Sequence, residues 1–268
     1  MMENLTISKK KRRIDDSDFI LVHGDSFKEM NKIIDKSIDL IFADPPYFLS
    51  NGGISVHAGK MVSVNKGAWD EGLSSQDKLK YNRRWIKKCR QLLKDDGTIW
   101  ISGTMHNIYS IGMALELEGF SIINNITWRK LNPPPNIACR AFTHSTETVL
   151  WARKQLSPKK KGKHHFNYLD MKELNGGKQM KDVWDFAITP QREKKSGKHP
   201  TQKPLALLER ILLASTNEGD LVLDPFNGSG TTGIACSMLN RKYIGIEQEE
   251  DFIELTVKRY QSLKEDNK

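Results

Sequence analysis

Two short stretches of this chain hold residues able to do chemistry. In IFADPPYFLS (41–50) an apolar run suited to a buried strand (Ile38, Leu40, Ile41, Phe42) stops at Asp44, Pro45, Pro46 and Tyr47. Proline has no N–H and a fixed φ, so two in succession stiffen a loop and leave its carbonyls free as acceptors. A carboxylate, fixed carbonyls and an aromatic ring therefore meet at one strand end. In DPFNGSGTTG (224–233), Gly228, Gly230 and Gly233 satisfy G-x-G-x-x-G, and Glu247 ends the following strand. Glycines let a ligand approach the backbone, N–H groups point out of the helix start, and an acid one strand later can accept from a ribose. That spacing alone leaves a nicotinamide dinucleotide reader and a plain structural turn open. Asp224, Pro225 and Phe226, however, intervene between the strand and the first glycine, and a carboxylate at a strand end suits a cationic amine.

Both stretches need strands behind them and helices after them, and the sequence supplies the alternation. FILVHGD (19–25) and SIDLIFAD (37–44) read as strands separated by a helix, SFKEMNKII (26–34). Trp85, Ile86, Cys89, Leu92 and Leu93 fall at helical spacing, with Gly97 as the stop. TIWIS is a strand, 105–118 a helix ended by Gly119, and SIINNITW and TETVLWAR two more strands. The pattern resumes with a helix at 204–215, the strands DLVLD and YIGIE around the helix TTGIACSML, and a closing helix EDFIELTVKRYQSL. Alternation of this kind predicts an α/β fold, a mostly parallel sheet with helices on both faces. Residues 48–72, rich in Gly, Ser and Asn, are expected to form a long mobile loop.

At 268 residues the chain suffices for one large domain or two small ones. Cys89, Cys139 and Cys236 are scattered without C-x-x-C spacing, so neither a disulfide framework nor a metal site is indicated, and all three are expected in the core. No apolar run has the length of a membrane span and no signal-like segment opens the chain, which reads as cytoplasmic. The formal net charge of +9 attracts polyanions. Much of it lies between Arg153 and Lys198, with 13 Lys or Arg against 5 Asp or Glu, and this segment reads as a nucleic-acid contact region. Lys9 to Arg13 are answered by Asp15, Asp16 and Asp18, and residues 1–18 are expected to fray.

Taken together, DPPY and DPFNGSGTT resemble the catalytic and cofactor motifs of the S-adenosylmethionine-dependent DNA amino-methyltransferases, and the pairing is far more specific than either motif alone. Their order, with HPTQKP (199–204) between them behind a variable basic segment, resembles the β group of that family, whose motifs are circularly arranged. The resemblance runs from about residue 19 to 260. Stretches such as DPPYFLSNGGIS, HNIYSIGMALE, NNITW, HSTETVLWARK and KQMKDVW look most like the smaller GATC-modifying adenine methyltransferases of DpnII-type restriction systems. The GANTC-modifying relatives share several of these patterns but carry a C-terminal extension that does not appear here.

The resemblance implies a Rossmann-like methyltransferase fold with a catalytic half (19–152), a target-recognition insertion (153–198) and a cofactor half (199–268) of one domain. It implies direct methyl transfer from S-adenosylmethionine, without a metal, to N6 of a flipped adenine. Asp44 and a carbonyl of Pro45 or Pro46 would accept the two amine N–H groups, and Tyr47 would stack on the base. Asp224 would face the methionine amino group, Phe226 to Gly230 would line the amino-acid end with Thr231 at the helix start, and Glu247 would take the ribose hydroxyls. The circular order sets FILVHGD beside YIGIE, with Asp25 at the cofactor's adenine edge or serving as a helix cap. Thr201, Gln202 and Lys203 would close the methionine pocket. DNA, duplex or single-stranded, is the expected partner; a homodimer and a cognate endonuclease stay open. For DNA contacts the sequence offers Asn132, Asn136, Arg140 and His144 after a strand end and a basic run of Lys159, Lys160, Lys161 and Lys163 with His164 and His165. Tyr168, Trp184 and Phe186 read as packing residues with a stacking surface as the other choice. The rival readings are an RNA methyltransferase, a non-catalytic nucleic-acid-binding subunit and a nicotinamide-dependent oxidoreductase.

Overall fold

A computed structural model describes residues 8–48, 54–57, 60–63, 73–136, 139–157 and 163–266, with the backbone alone for 54–57 and 60–63. In chain order the elements are β1 (Arg12–Asp15), β2 (Phe19–His23), α1 (Ser26–Glu29), β3 (Ile38–Ala43), the hairpin β4 (Ile54–His57) and β5 (Lys60–Ser63), α2 (Ser75–Leu92), β6 (Leu93–Gly103), α3 (Ile108–Leu117), β7 (Phe120–Lys130) and β8 (Thr146–Lys154). They continue with α4 (Tyr168–Leu174), β9 (Val183–Phe186), α5 (Leu205–Ser215), β10 (Leu221–Asp224), α6 (Thr231–Met238), β11 (Lys242–Glu247) and α7 (Glu250–Asp266).

Among the described residues nine strands form one sheet in the order β1-β2-β11-β10-β3-β6-β8-β7-β9. From β2 to β6 all neighbours are parallel, whereas β8 runs antiparallel to both β6 and β7. The parallel strands are apolar on both faces because helices cover both. Ile20 and Val22 point into a layer with Trp85, Ile86 and Cys89 of α2 and Ile111 and Leu115 of α3. Their neighbours Phe19 and Leu21 point the other way, against Leu208 and Leu212 of α5, Ala235 of α6 and Ile253 of α7. As the circular arrangement requires, β2 pairs in parallel with β11, Phe19 opposite Tyr243 and His23 opposite Glu247. The carboxyl ends of β2, β11, β10 and β3 thus lie side by side, the edge at which open α/β sheets bind ligands.

Several elements differ from the sequence reading. Residues 12–15, expected to fray, pair antiparallel with β2, and Tyr260 of α7 donates to Asp16 at 2.8 Å. Pairing with the next strand and the bond from Tyr260 order a charged segment whose own sequence has no strand periodicity. The helix expected over 26–34 is one turn, α1, followed by a 3-10 turn at Met30–Lys32. Helix α2 stops at Leu92, and Gly97 lies inside β6, where a Cβ would meet the Asp39 carbonyl oxygen at 2.9 Å. Gly97 therefore permits close backbone approach and caps nothing. The basic segment contains α4 and β9, and β9 extends the sheet by pairing with β7, Trp128 opposite Trp184. Of the loop expected over 48–72, residues 54–57 and 60–63 form the antiparallel hairpin; apart from 48 itself, the rest lies outside the described residues. Cys139 is exposed at φ +51°, so only Cys89 and Cys236 join the core.

Candidate active site

The chain turns out of β3 directly into Asp44, and the two prolines that follow end the pairing because they cannot donate to a neighbouring strand. Asn107, just before α3, donates to the Pro46 carbonyl at 3.4 Å and accepts from the Thr104 N–H at 3.0 Å, which ties the loop to the end of β6. The Tyr47 hydroxyl donates to Asp44 Oδ1 at 2.8 Å, and the Lys203 ammonium donates to Asp44 Oδ2 at 2.5 Å and to the Tyr47 oxygen at 2.8 Å. Lys203 also lies 3.6 Å from Glu147 Oε2, while Glu147 Oε1 is 2.7 Å from the ammonium of Lys130. Two carboxylates and two ammonium groups form one chain of alternating charge. Burial raises the Asp44 carboxyl above its ordinary range, against the pull of Lys203, and raises the Tyr47 phenol well above its own. Lys203 stays on the charged side because its two carboxylates outweigh the cost of burying it.

Next to β3, β10 ends in Asp224, which is 2% exposed. Its Oδ2 accepts from the Thr232 hydroxyl at 2.6 Å and its Oδ1 from the Phe226 N–H at 3.0 Å. Burial pushes its carboxyl up to about 7 despite those bonds. The glycine turn follows. Gly228 at φ +51° donates to Glu247 Oε2 at 2.7 Å, and Glu247 Oε1 accepts from the N–H groups of Gln248 at 2.8 Å and Glu249 at 3.0 Å. Burial raises the Glu247 carboxyl, and the three backbone donors oppose that shift. Asp25, at the end of β2, caps α1 by accepting from the Lys28 N–H at 3.0 Å.

These strand ends enclose a cleft of about 250 Å³. Asp25, Asp44, Pro45, Pro46 and Tyr47 line it, as do Thr201, Gln202, Lys203, Asp224, Phe226, Gly228, Thr231 and Glu247. Asp25 is thus both a helix cap and part of the cleft wall. Gly230 is the exception among the expected cofactor residues. At φ +73° a Cβ there would meet Thr256 of α7 at 2.5 Å, so this glycine serves the packing of the turn. Lys203, grouped with the cofactor residues by resemblance, lines the cleft and bonds within it to the Asp44 carboxylate. Gln202 braces its own segment, its side-chain amide donating to the Glu193 carbonyl at 3.0 Å while its backbone carbonyl accepts from the Thr189 hydroxyl.

Sequence reasoning missed Glu147 and Lys130. The signal was present: Glu147, Val149 and Trp151 alternate along β8, and the other two are core residues, so a carboxylate continues an apolar face. The aromatic wall made by Phe27 and Tyr81, rings 5.3 Å apart, was missed as well.

The described residues among those offered for DNA contact lie apart from this cleft's lining. Asn132 accepts from the Ile188 N–H at 3.0 Å and Asn136 donates to the Ala141 carbonyl at 2.8 Å, so both shape the connection from β7 to β8. Arg140, His144 and Lys163 are exposed, whereas Lys159, Lys160 and Lys161 fall outside the described residues. His164 stands edge-on to Trp151, Trp184 is core, Phe186 packs against it and Tyr168 is exposed. Among the described residues no group of three His, Cys, Asp or Glu is arranged for a metal ion, and no helix is long and apolar enough to cross a membrane.

A buried carboxylate at Asp224 calls for a cation, and Glu247 offers acceptor oxygens beside a glycine turn. This donor set fits the amino group and the ribose diol of S-adenosylmethionine. Comparison with known proteins agrees. The family profile described as DNA methylase matches residues 38–258. The Type II methyltransferase M2.DpnII of Streptococcus pneumoniae is 59% identical over 248 residues, 92% of this chain and 91% of that protein. The Type II methyltransferase M2.LlaDCHI of Lactococcus lactis subsp. cremoris is 60% identical over 240 residues, 90% of this chain and 88% of its own length. Among solved structures, the M1.HpyAVI-SAM complex superposes with a TM-score of 0.63 at 29% identity, covering 90% of this chain and 98% of that one.

Proposed function

The chain belongs to the DNA methylase family, and we propose that within it this protein methylates N6 of adenine in GATC, as the modification enzyme of a restriction–modification system. One observation carries the reading. Asp44 directly follows β3, Asp224 ends its parallel neighbour β10, and both open on the same cleft, which supports one as amine acceptor and the other as cofactor anchor.

S-adenosylmethionine is the methyl donor, and when bound it supplies an electrophilic methyl group on a sulfonium. Asp224 would hold its amino group, Glu247 its ribose hydroxyls and Asp25 its adenine edge. Phe226, Gly228 and Thr231 would line its amino-acid end, and Thr201 would close the pocket. The protein's own task is the nucleophile. An exocyclic amine is weak because its lone pair is delocalised into the ring. Acceptors that hold its two N–H groups also stabilise the positive charge developing on nitrogen during attack, and they act most strongly where water is excluded. Asp44 and a proline carbonyl are those acceptors, and the prolines keep them from relaxing. Flipping the base out of a duplex costs roughly a few kcal/mol, and stacking on Tyr47 returns about 1–3 kcal/mol of it.

An Asp before the two prolines supports adenine N6 over cytosine N4, by family resemblance. The names of the two relatives support a Type II restriction–modification setting, and the stretches shared with GATC-modifying enzymes support that site. The basic segment 153–198, with the β7–β8 connection that carries Asn132 and Arg140, is assigned to the DNA.

The test uses labelled S-adenosylmethionine and oligonucleotides containing GATC, GANTC or a scrambled site, single- and double-stranded, with digestion and mass spectrometry of the nucleosides. N6-methyladenine with GATC alone is the expected result. N4-methylcytosine, transfer to GANTC, or transfer to RNA in place of DNA would overturn the assignment.

A further inference from the structure

Both oxygens of Asp44 are engaged, one by the Tyr47 hydroxyl and the other by the Lys203 ammonium. The target amine needs one of them, and Tyr47 has to turn toward the base in order to stack. The two requirements coincide: when Tyr47 leaves, Oδ1 is released while Lys203 stays on Oδ2. Lys203 is 6% exposed and arrives from the 199–204 segment, far along the chain from the residues it bonds. Glu147 lies on its other side, itself anchored by Lys130. A lysine gripped between two carboxylates is held in place without an exposed, flexible ammonium.

Resting on the methyltransferase reading, we propose that Lys203 is a positioning residue for catalysis: it keeps Asp44 ionised, orients Oδ1 toward the amine, and is itself held by Glu147. It touches neither the amine nor the methyl group in this role. The charged and titratable groups around Asp44 are Tyr47 on its own loop, Lys203, Glu147 from β8 with Lys130 of β7 behind it, and Asp224 from β10. Lys203 is the one cation in direct contact with Asp44 among the described residues, so its loss leaves a buried carboxylate flanked by two others. Burial already raises the Asp44 carboxyl, and removing the ammonium raises it further.

The experiment measures single-turnover methyl transfer to a GATC duplex, saturated in S-adenosylmethionine, from pH 5.5 to 9. It compares the wild type with Lys203→Met, Lys203→Arg and the double variant Lys203→Met/Glu147→Gln. The double variant removes one buried charge of each sign and so guards against a failure to fold. Because transfer needs ionised Asp44, the acid limb of the profile should move to higher pH in Lys203→Met by about one unit or more, with transfer at pH 6.5 slowed at least about tenfold. The double variant should show the same direction of shift, and Lys203→Arg should keep the wild-type limb. Cofactor affinity by calorimetry should change little. Profiles that superimpose after normalisation in both Lys203→Met proteins would overturn the proposal while leaving the methyltransferase reading intact. A cofactor affinity that collapses with an unmoved limb would likewise overturn it and return Lys203 to the methionine pocket. A wild type that transfers to no DNA would overturn the function on which the proposal rests.

Discussion

Lys203 Nζ lies 2.5 Å from Asp44 Oδ2 although 159 residues separate them in the chain. The contact joins the end of β3 to the segment before α5, and it links the two halves of the cleft through one buried ion pair. Breaking a buried pair is costly because it strands the remaining charge, so changes on either side should be felt in both rate and stability.

Asp44→Ala should slow methyl transfer by about 10³ while leaving cofactor affinity within about threefold. Loss of one preorganised acceptor costs about 10²–10³ in rate, and loss of the carboxylate that also holds Lys203 should reach the upper end. Single-turnover assays with parallel calorimetry check both halves. Transfer at the wild-type rate would remove Asp44 from the reaction.

Asp224 offers a pH prediction. Its carboxyl, raised to about 7 by burial, must be ionised to pair with a cationic amine. Cofactor affinity should therefore fall toward tenfold per unit below pH 6.5. Titration calorimetry at pH 6 and pH 8, in buffers of different ionisation enthalpy, should detect proton release only at the lower pH. Asp224→Ala should weaken binding at pH 8 and remove the pH dependence.

The same residue predicts a stability change of opposite sense. A carboxyl whose folded value is raised stabilises the fold fully below its unfolded value, near 3.8, and that contribution is lost as pH rises through about 7. Asp224→Asn keeps an acceptor for Thr232 without the charge. It should raise stability by about 2–4 kcal/mol at pH 8 and have little effect near pH 4. Urea unfolding at the two pH values measures the difference, and equal effects at both would refute the buried-charge account.

Gly230→Ala should cost about 2–3 kcal/mol of stability, because φ is +73° and the new Cβ would press on Thr256 at 2.5 Å. The protein that remains folded should bind the cofactor nearly as the wild type does, since Gly230 faces α7 rather than the cleft. Chemical denaturation combined with calorimetry separates these two effects.

Replacing Lys159, Lys160, Lys161 and Lys163 with Ala should weaken DNA binding. It should also lower the slope of log affinity against log salt by up to about 0.9 for each duplex phosphate that a lysine no longer neutralises. Cofactor affinity without DNA should not change. An unaltered salt slope would take these lysines off the phosphate backbone.

Much of the site is legible locally. Asp44 and Asp224 end apolar runs and are followed by proline, and a buried strand that meets proline has to stop, so each carboxylate is fixed at a strand end by its own neighbours. Gly228 sits at positive φ where the turn passes Glu247, and glycine in that position is a backbone requirement the sequence displays. Local signals failed where a strand depended on the edge it pairs with. Arg12–Asp15 is charged at every position but Ile14, and VWDF in β9 is too short to announce itself; each becomes a strand because a neighbouring edge offers it partners. Gly97 reads as a helix stop until β6 runs through it.

By itself the sequence determined the alternation of strands and helices, the carboxylates at two strand ends and the glycine turn, because each depends on residues within a few positions of one another. Only the tertiary structure decided which charge faces which. Lys203 met Asp44 within the cleft, Glu147 and Lys130 completed the chain of charges, and Gly230 went to helix packing. These outcomes depend on strand order and on the burial that strand order creates. Burial makes an unpaired charge intolerable, so the partners of Asp44 were settled by what the fold brought within reach.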